Sequence, residues 1–182
     1  MARRLILITG MPGSGKTTLA AFAEKEGYRI VAMGDVIRDL AEERELEPTH
    51  ENLGSVAEDV RREEGPSAVA RRCAEKLKGG EEKLVVDGIR SLEEVEAFRE
   101  AFMDAALVAA HASPWTRFQR LRDRERGDRP RDRQAFHLRD RRELRFGLGS
   151  AVAMADYMIV NEGSLHDLER SFKDLLERLE RG

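Results

Sequence analysis

Eight consecutive residues, Gly10-Met11-Pro12-Gly13-Ser14-Gly15-Lys16-Thr17, fit the spacing G-x-x-x-x-G-K-[ST]. Glycines at 10, 13 and 15 let successive backbone N–H groups turn into one concave nest suited to phosphate oxygens. A helix running on from Thr18 adds its positive N-terminal end to that nest. Lys16 then reaches the outer phosphates of a nucleoside triphosphate, and the Thr17 hydroxyl completes the coordination of Mg²⁺. Residues 10–18 are therefore expected to bind ATP, with Ser14 a small residue that permits the turn and not a nucleophile.

Such a loop works only between a strand and a helix, and the flanking residues meet that condition. The apolar run Leu5-Ile6-Leu7-Ile8 precedes it and the helix-like stretch Thr18–Glu26 follows. Further apolar runs predict strands at Leu5–Thr9, Ile30–Met33, Leu84–Val86, Leu107–His111 and Tyr157–Val160, with helical patterns between them. Ser91-Leu92-Glu93-Glu94 resembles a capping box, with apolar positions following at Val95, Phe98 and Phe102. After Ser164, residues Leu165, Leu168, Phe172, Leu175, Leu176 and Leu179 recur at threes and fours, predicting a last helix packed by one face. Strands alternating with helices mean an α/β protein with a parallel sheet covered on both faces.

The chain has 182 residues, enough for one domain with an ample core. It has no apolar run long enough to span a membrane, its short apolar start is expected to be the first strand and not a signal peptide, and Cys73 as sole cysteine excludes an internal disulfide or a cysteine zinc site. These features point to the cytoplasm. Net charge is −3 but uneven: Arg117 to Arg145 holds 12 Arg and 6 acids, a local +6, against 20 basic and 29 acidic residues elsewhere, a net of −9. That is one arginine-dense segment on an acidic body, not the broad basic surface of a duplex nucleic-acid binder. The four histidines show no metal-ligand spacing.

The order of the remaining motifs carries a resemblance. The loop at residue 10 is followed by Gly34-Asp35-Val36-Ile37-Arg38, then Asp87-Gly88-Ile89-Arg90, then the arginine-rich segment. This succession resembles the nucleoside monophosphate kinases. It is most similar to the archaeal proteins described as adenylate-kinase-related or dephospho-CoA-kinase-related, over nearly the whole chain. The resemblance implies a single P-loop NTPase domain over 1–182, of three α/β/α layers. Its five-stranded parallel sheet would run in the order 2-3-1-4-5. A helical acceptor-binding insertion is expected at 34–82 and a lid at 117–146. Asp87-Gly88-Ile89-Arg90 is one residue shorter than the Asp-Gly-Phe-Pro-Arg of adenylate kinase, and the lid lacks that family's four zinc cysteines.

Asp87, at a strand tip beside the loop, is the expected second metal ligand. Arg38 and Arg90 offer planar forks that match an acceptor's phosphate, which lysine cannot do. The resemblance implies one of two jobs for Asp35: ordering the waters of Mg²⁺, as in monophosphate kinases, or removing a proton from a hydroxyl acceptor, as in dephospho-CoA kinases. In the lid, Arg120 and Arg124 lie four apart, as do Arg122 and Arg126, while Arg139-Asp140-Arg141-Arg142-Glu143 offers a second arm. Arg120, Arg124 and Arg139 are expected to neutralise charge on the transferring group and, with Lys16, to be catalytic. Asn161-Glu162-Gly163 reads either as a lining of the adenine pocket or as a plain turn, and Trp115 is placed to pack at the hinge of the lid. The expected activity is transfer of the γ-phosphoryl of ATP to a small nucleotide acceptor, first a nucleoside monophosphate such as AMP. Two alternatives stand: dephospho-CoA-kinase-like transfer to a hydroxyl with Asp35 as base, and a nucleotide switch or accessory ATPase serving a protein or RNA partner.

Overall fold

The structure is a computed structural model that describes residues 4–77, 83–124 and 129–181. Its centre is β1 (Arg4–Thr9), in which every side chain from Leu5 to Ile8 is fully buried. A strand buried on both faces must be flanked by parallel partners and covered above and below. Five parallel strands run in the order β2-β3-β1-β4-β5. The others are β2 (Arg29–Ala32), β3 (Lys83–Ile89), β4 (Ala105–His111) and β5 (Tyr157–Val160).

Alternation along the strands divides the core. Leu5, Leu7, Leu84, Val86 and Leu107 face one layer, holding α2 (Met33–Glu43), α3 (His50–Glu64), α4 (Ala68–Leu77) and α5 (Leu92–Ala101). Ile6, Ile8, Val85, Val108 and Ala110 face the other, built from α1 (Lys16–Lys25) and α9 (Leu165–Arg181). Cys73 sits in the first layer, where burial pushes its thiol up to about 12. In α9 the stripe begins at Leu168, because Leu165, counted above among the packing positions, is 64% exposed.

Three helices fill the interval between β2 and β3, and local chemistry marks their ends. Thr49 after Pro48 caps α3 by accepting the Asn52 N–H at 3.2 Å, and Gly65 closes that helix. The expected box at Ser91 forms in modified shape. Its Oγ accepts the Glu94 N–H at 3.3 Å, but the Glu94 carboxylate takes the N–H of Arg90, at 2.8 Å, and the guanidinium of Arg61, at 2.9 Å. After β4 come α6 (Pro114–Asp123) and α7 (Arg133–Arg145), and the short α8 (Leu148–Ala153) packs against α5, α7, β1 and β4. Of the pair Arg122 and Arg126, Arg126 lies outside the described residues. Among the described residues no helix is long and apolar enough to cross a membrane.

Candidate active site

The loop leaves β1 at its carboxyl end and enters α1 through Gly15, a left-handed residue at φ 108. Two glycines are dictated by their surroundings. A Cβ on Gly10, where φ is 144, would lie 2.3 Å from the Ala110 carbonyl oxygen of the neighbouring central strand. One on Gly15 would lie 2.3 Å from Asn161 Nδ2. The Ser14 N–H bonds the Met11 carbonyl at 3.1 Å, while the Ser14 hydroxyl is buried with no hydrogen-bond partner.

Lys16 folds back over the loop, its Nζ donating to Gly10 O at 2.7 Å and Met11 O at 3.4 Å. Burial lowers its pKa from 10.5 to about 8, against the opposing pull of Asp87. Asp87 lies two residues before the end of β3, level with Ile8, and a bulge follows before Ile89 pairs with Thr9. Burial raises the pKa of its carboxyl, and its Oδ1 is buried without a hydrogen-bond partner. Among the described residues no three His, Cys, Asp or Glu converge as a metal cage. A hard cation here would thus depend on Thr17, Asp87 and ligand oxygens, the usual manner of Mg²⁺.

Lys16 and Thr17 open onto a phosphate cleft that Arg90, Arg124 and Arg139 also line. A second cleft lies beside it, with an apolar floor including Ile37, Leu53 and Phe146 and a rim of Arg38, Arg61, Arg90 and Arg142. Arg90 belongs to both, and so does Glu143, a residue buried to 5% exposure whose Oε2 lies 3.2 Å from Arg90 Nε. Asp35 lines neither. Its carboxylate pairs with Arg38 on the same helix.

Arg120 does not face the phosphate cleft. Its guanidinium donates to Asn161 O at 3.0 Å and Oδ1 at 3.2 Å. Asn161 Nδ2 in turn donates to Ser14 O at 2.9 Å, so the turn after β5 ties the loop to α6. A third hollow, lined by Thr18, Arg120, Arg124, Asn161 and Gly163, opens beside this tie. Removing the amide would strand the buried Ser14 carbonyl. Asn161→Ala is expected to cost about 1–2 kcal/mol and to lower Tm by a few degrees in calorimetry; an unchanged Tm would contradict the role.

Arg117 departs furthest from a solvated lid residue. It is 3% exposed, donates to Ala112 O and Pro12 O at 3.2 and 3.1 Å, and grips Asp140 of α7 bidentately at 2.9 and 2.7 Å. It thereby braces the loop against α6 and α7. Nearby, Arg133 at the start of α7 stacks over the half-exposed ring of Trp115, 4.6 Å from its centroid.

Sequence reasoning missed Arg61 and Phe146 and read Arg142 and Glu143 only as part of a second lid arm. A usable signal existed for Glu143, since it follows Arg139 by four residues and so shares its helix face.

A family model described as an AAA domain matches residues 6–143. The UPF0200 protein of Hyperthermus butylicus is 47% identical over 178 residues, covering 97% of this chain and 95% of the relative. The chain belongs to the UPF0200 family. Solved structures similar to this UPF0200 chain include a shikimate kinase from Bacteroides thetaiotaomicron, with TM-score 0.60 and 19% identity, covering 96% of this chain and 98% of that one. A gluconokinase from Sinorhizobium meliloti 1021 gives the same TM-score and identity over 97% and 93%. The UPF0200 chain therefore has the P-loop, kinase-like fold, with the sheet order of that class.

Proposed function

We propose that the protein is a Mg²⁺-dependent phosphotransferase that moves the γ-phosphoryl of ATP to a small phosphorylated acceptor. The observation that carries this reading is the pair of arginine-lined clefts meeting at Arg90, one of them floored by the loop lysine. Two anionic molecules held side by side, with a cationic group at their junction, is the arrangement that in-line transfer requires.

Backbone N–H groups from Gly13 to Thr18 hold the β- and γ-phosphates, and Lys16 exchanges the Gly10 and Met11 carbonyls for phosphate oxygens. Thr17 and Asp87 would hold Mg²⁺, a role supported by the partnerless buried Oδ1 of Asp87. When bound, the metal supplies charge neutralisation to the bridging phosphate oxygens. Arg124 and Arg139 neutralise the transferring group from the lid side, whereas Arg120, held by Asn161, walls the nucleotide base. The helices α2, α3 and α4 grip the acceptor through Arg38, and α6 and α7 close over ATP.

A nucleoside monophosphate suits the second cleft, its base on Ile37, Leu53 and Phe146 and its phosphate on the arginine rim. The acceptor's nucleophile is either its own phosphate or one of its hydroxyls. Transfer from labelled ATP and Mg²⁺ across a panel of nucleoside monophosphates and phosphorylated alcohols tests the reading. The expected result is label on one of them, with a raised Tm when that acceptor is added to protein and ATP. Slow hydrolysis indifferent to every acceptor would overturn it and leave the nucleotide switch.

A further inference from the structure

We propose that the nucleophile is a hydroxyl and that Glu143 is the general base that takes its proton. This deepens the kinase reading and rests on it. Glu143 stands where donor and acceptor must meet. It lines the phosphate cleft with Lys16 and the second cleft with Arg38, and its Oε1 and Oε2 lie 3.7 and 3.2 Å from Arg142 and Arg90.

Charge logic separates the two acceptor types. A phosphate nucleophile is anionic and needs only positive groups around it, so a buried carboxylate at the meeting point would repel it. A hydroxyl is neutral and a poor nucleophile until its proton is removed, and a carboxylate within reach supplies that. Asp35, the acid expected in this role, lines neither cleft. Glu143 is the acid common to both. The acceptor is then an alcohol that carries a separate anionic group, anchored by the arginine rim away from the reacting oxygen.

In the step, the acceptor O–H proton passes to the Glu143 carboxylate as the oxygen forms its bond to the γ-phosphorus. The bond from that phosphorus to the β,γ-bridging oxygen breaks, and ADP leaves with the electron pair. Glu143 afterwards releases the proton to solvent. The products are a phosphomonoester, ADP and one proton.

Water, itself a hydroxyl nucleophile, makes the test independent of the acceptor's identity. Single-turnover hydrolysis of γ-labelled ATP, with enzyme in excess, is compared for wild type, Glu143→Gln and Glu143→Asp, alongside the Kd for ATP of each. Loss of a base predicts a fall of about 10²-fold or more in Glu143→Gln, an unchanged Kd, and partial recovery in Glu143→Asp. Unchanged or faster hydrolysis in Glu143→Gln would overturn the proposal and make Glu143 a mere tether for Arg90. So would conversion of ATP and AMP to two ADP at equal rates by wild type and Glu143→Gln. Failure of the wild type to bind ATP or release its γ-phosphoryl would instead refute the kinase reading itself.

Discussion

Lys16→Ala is expected to slow phosphoryl transfer by about 10³-fold, the loss seen when a preorganised donor to developing negative charge is removed. The fold should survive, because the two carbonyls that Lys16 holds, Gly10 O and Met11 O, belong to the loop and not to the sheet. The same side chain gives a second readout. Burial lowers its pKa to about 8, and a polyphosphate against it favours the charged form. At pH 8.5 to 9, binding of ATP should therefore take up a proton, so its calorimetric enthalpy should vary with the buffer's ionisation heat. Lys16→Ala should abolish that variation. The sign for stability follows: between pH 8 and 10.5 the unfolded chain holds the proton that the folded one has lost, so this contribution to stability rises with pH across that window. Below about pH 8 both states are charged and the cost of the buried cation is borne in full. Buffer-independent enthalpy in the wild type would refute the placement of Lys16.

Arg117→Ala is expected to produce the largest stability loss, about 3–5 kcal/mol, because it leaves the Asp140 carboxylate half of a buried pair without its partner. For a chain of this size that is a fall in Tm on the order of 10 °C. Asp140 is 14% exposed at its side chain, so little water can replace the lost guanidinium. Four hydrogen bonds vanish together, two to Asp140, one to Ala112 O and one to Pro12 O of the phosphate loop. ATP affinity should fall as well. Paired replacement with apolar residues, Arg117→Met with Asp140→Leu, should recover much of the stability, since no charge is then left stranded. A Tm drop under 2 °C in Arg117→Ala would contradict the brace.

What could be read from the chain beforehand was whatever is specified locally. The phosphate loop is a contiguous eight-residue pattern, and the strand at Tyr157–Val160 was placed to the residue. The second strand was set one residue late, at Ile30–Met33, because Met33 is apolar enough to extend it; the backbone instead turns there into α2, and the strand is Arg29–Ala32. Functional side chains were harder. Arg38 and Arg90 were found through their motifs, and the structure brings both to one cleft. In the arginine-dense segment, charge alone could not separate Arg117, sealed in the interior, from Arg139 at the cleft or Arg120 bound to a distant turn. Their fates depend on Asp140 and Asn161, contacts 23 and 41 residues away. Glu143 was hidden for the same reason, as one acid among basic neighbours, where an exposed ion pair is the commoner outcome.

The stacking of Arg133 on Trp115 has a practical corollary. Trp115 is the sole tryptophan of the chain, and the cation above it rides on the first residue of α7. A swing of that helix away from α6 strips the indole of its stacked guanidinium, so native ultraviolet emission provides an optical gauge of closure that needs no dye and no engineered label.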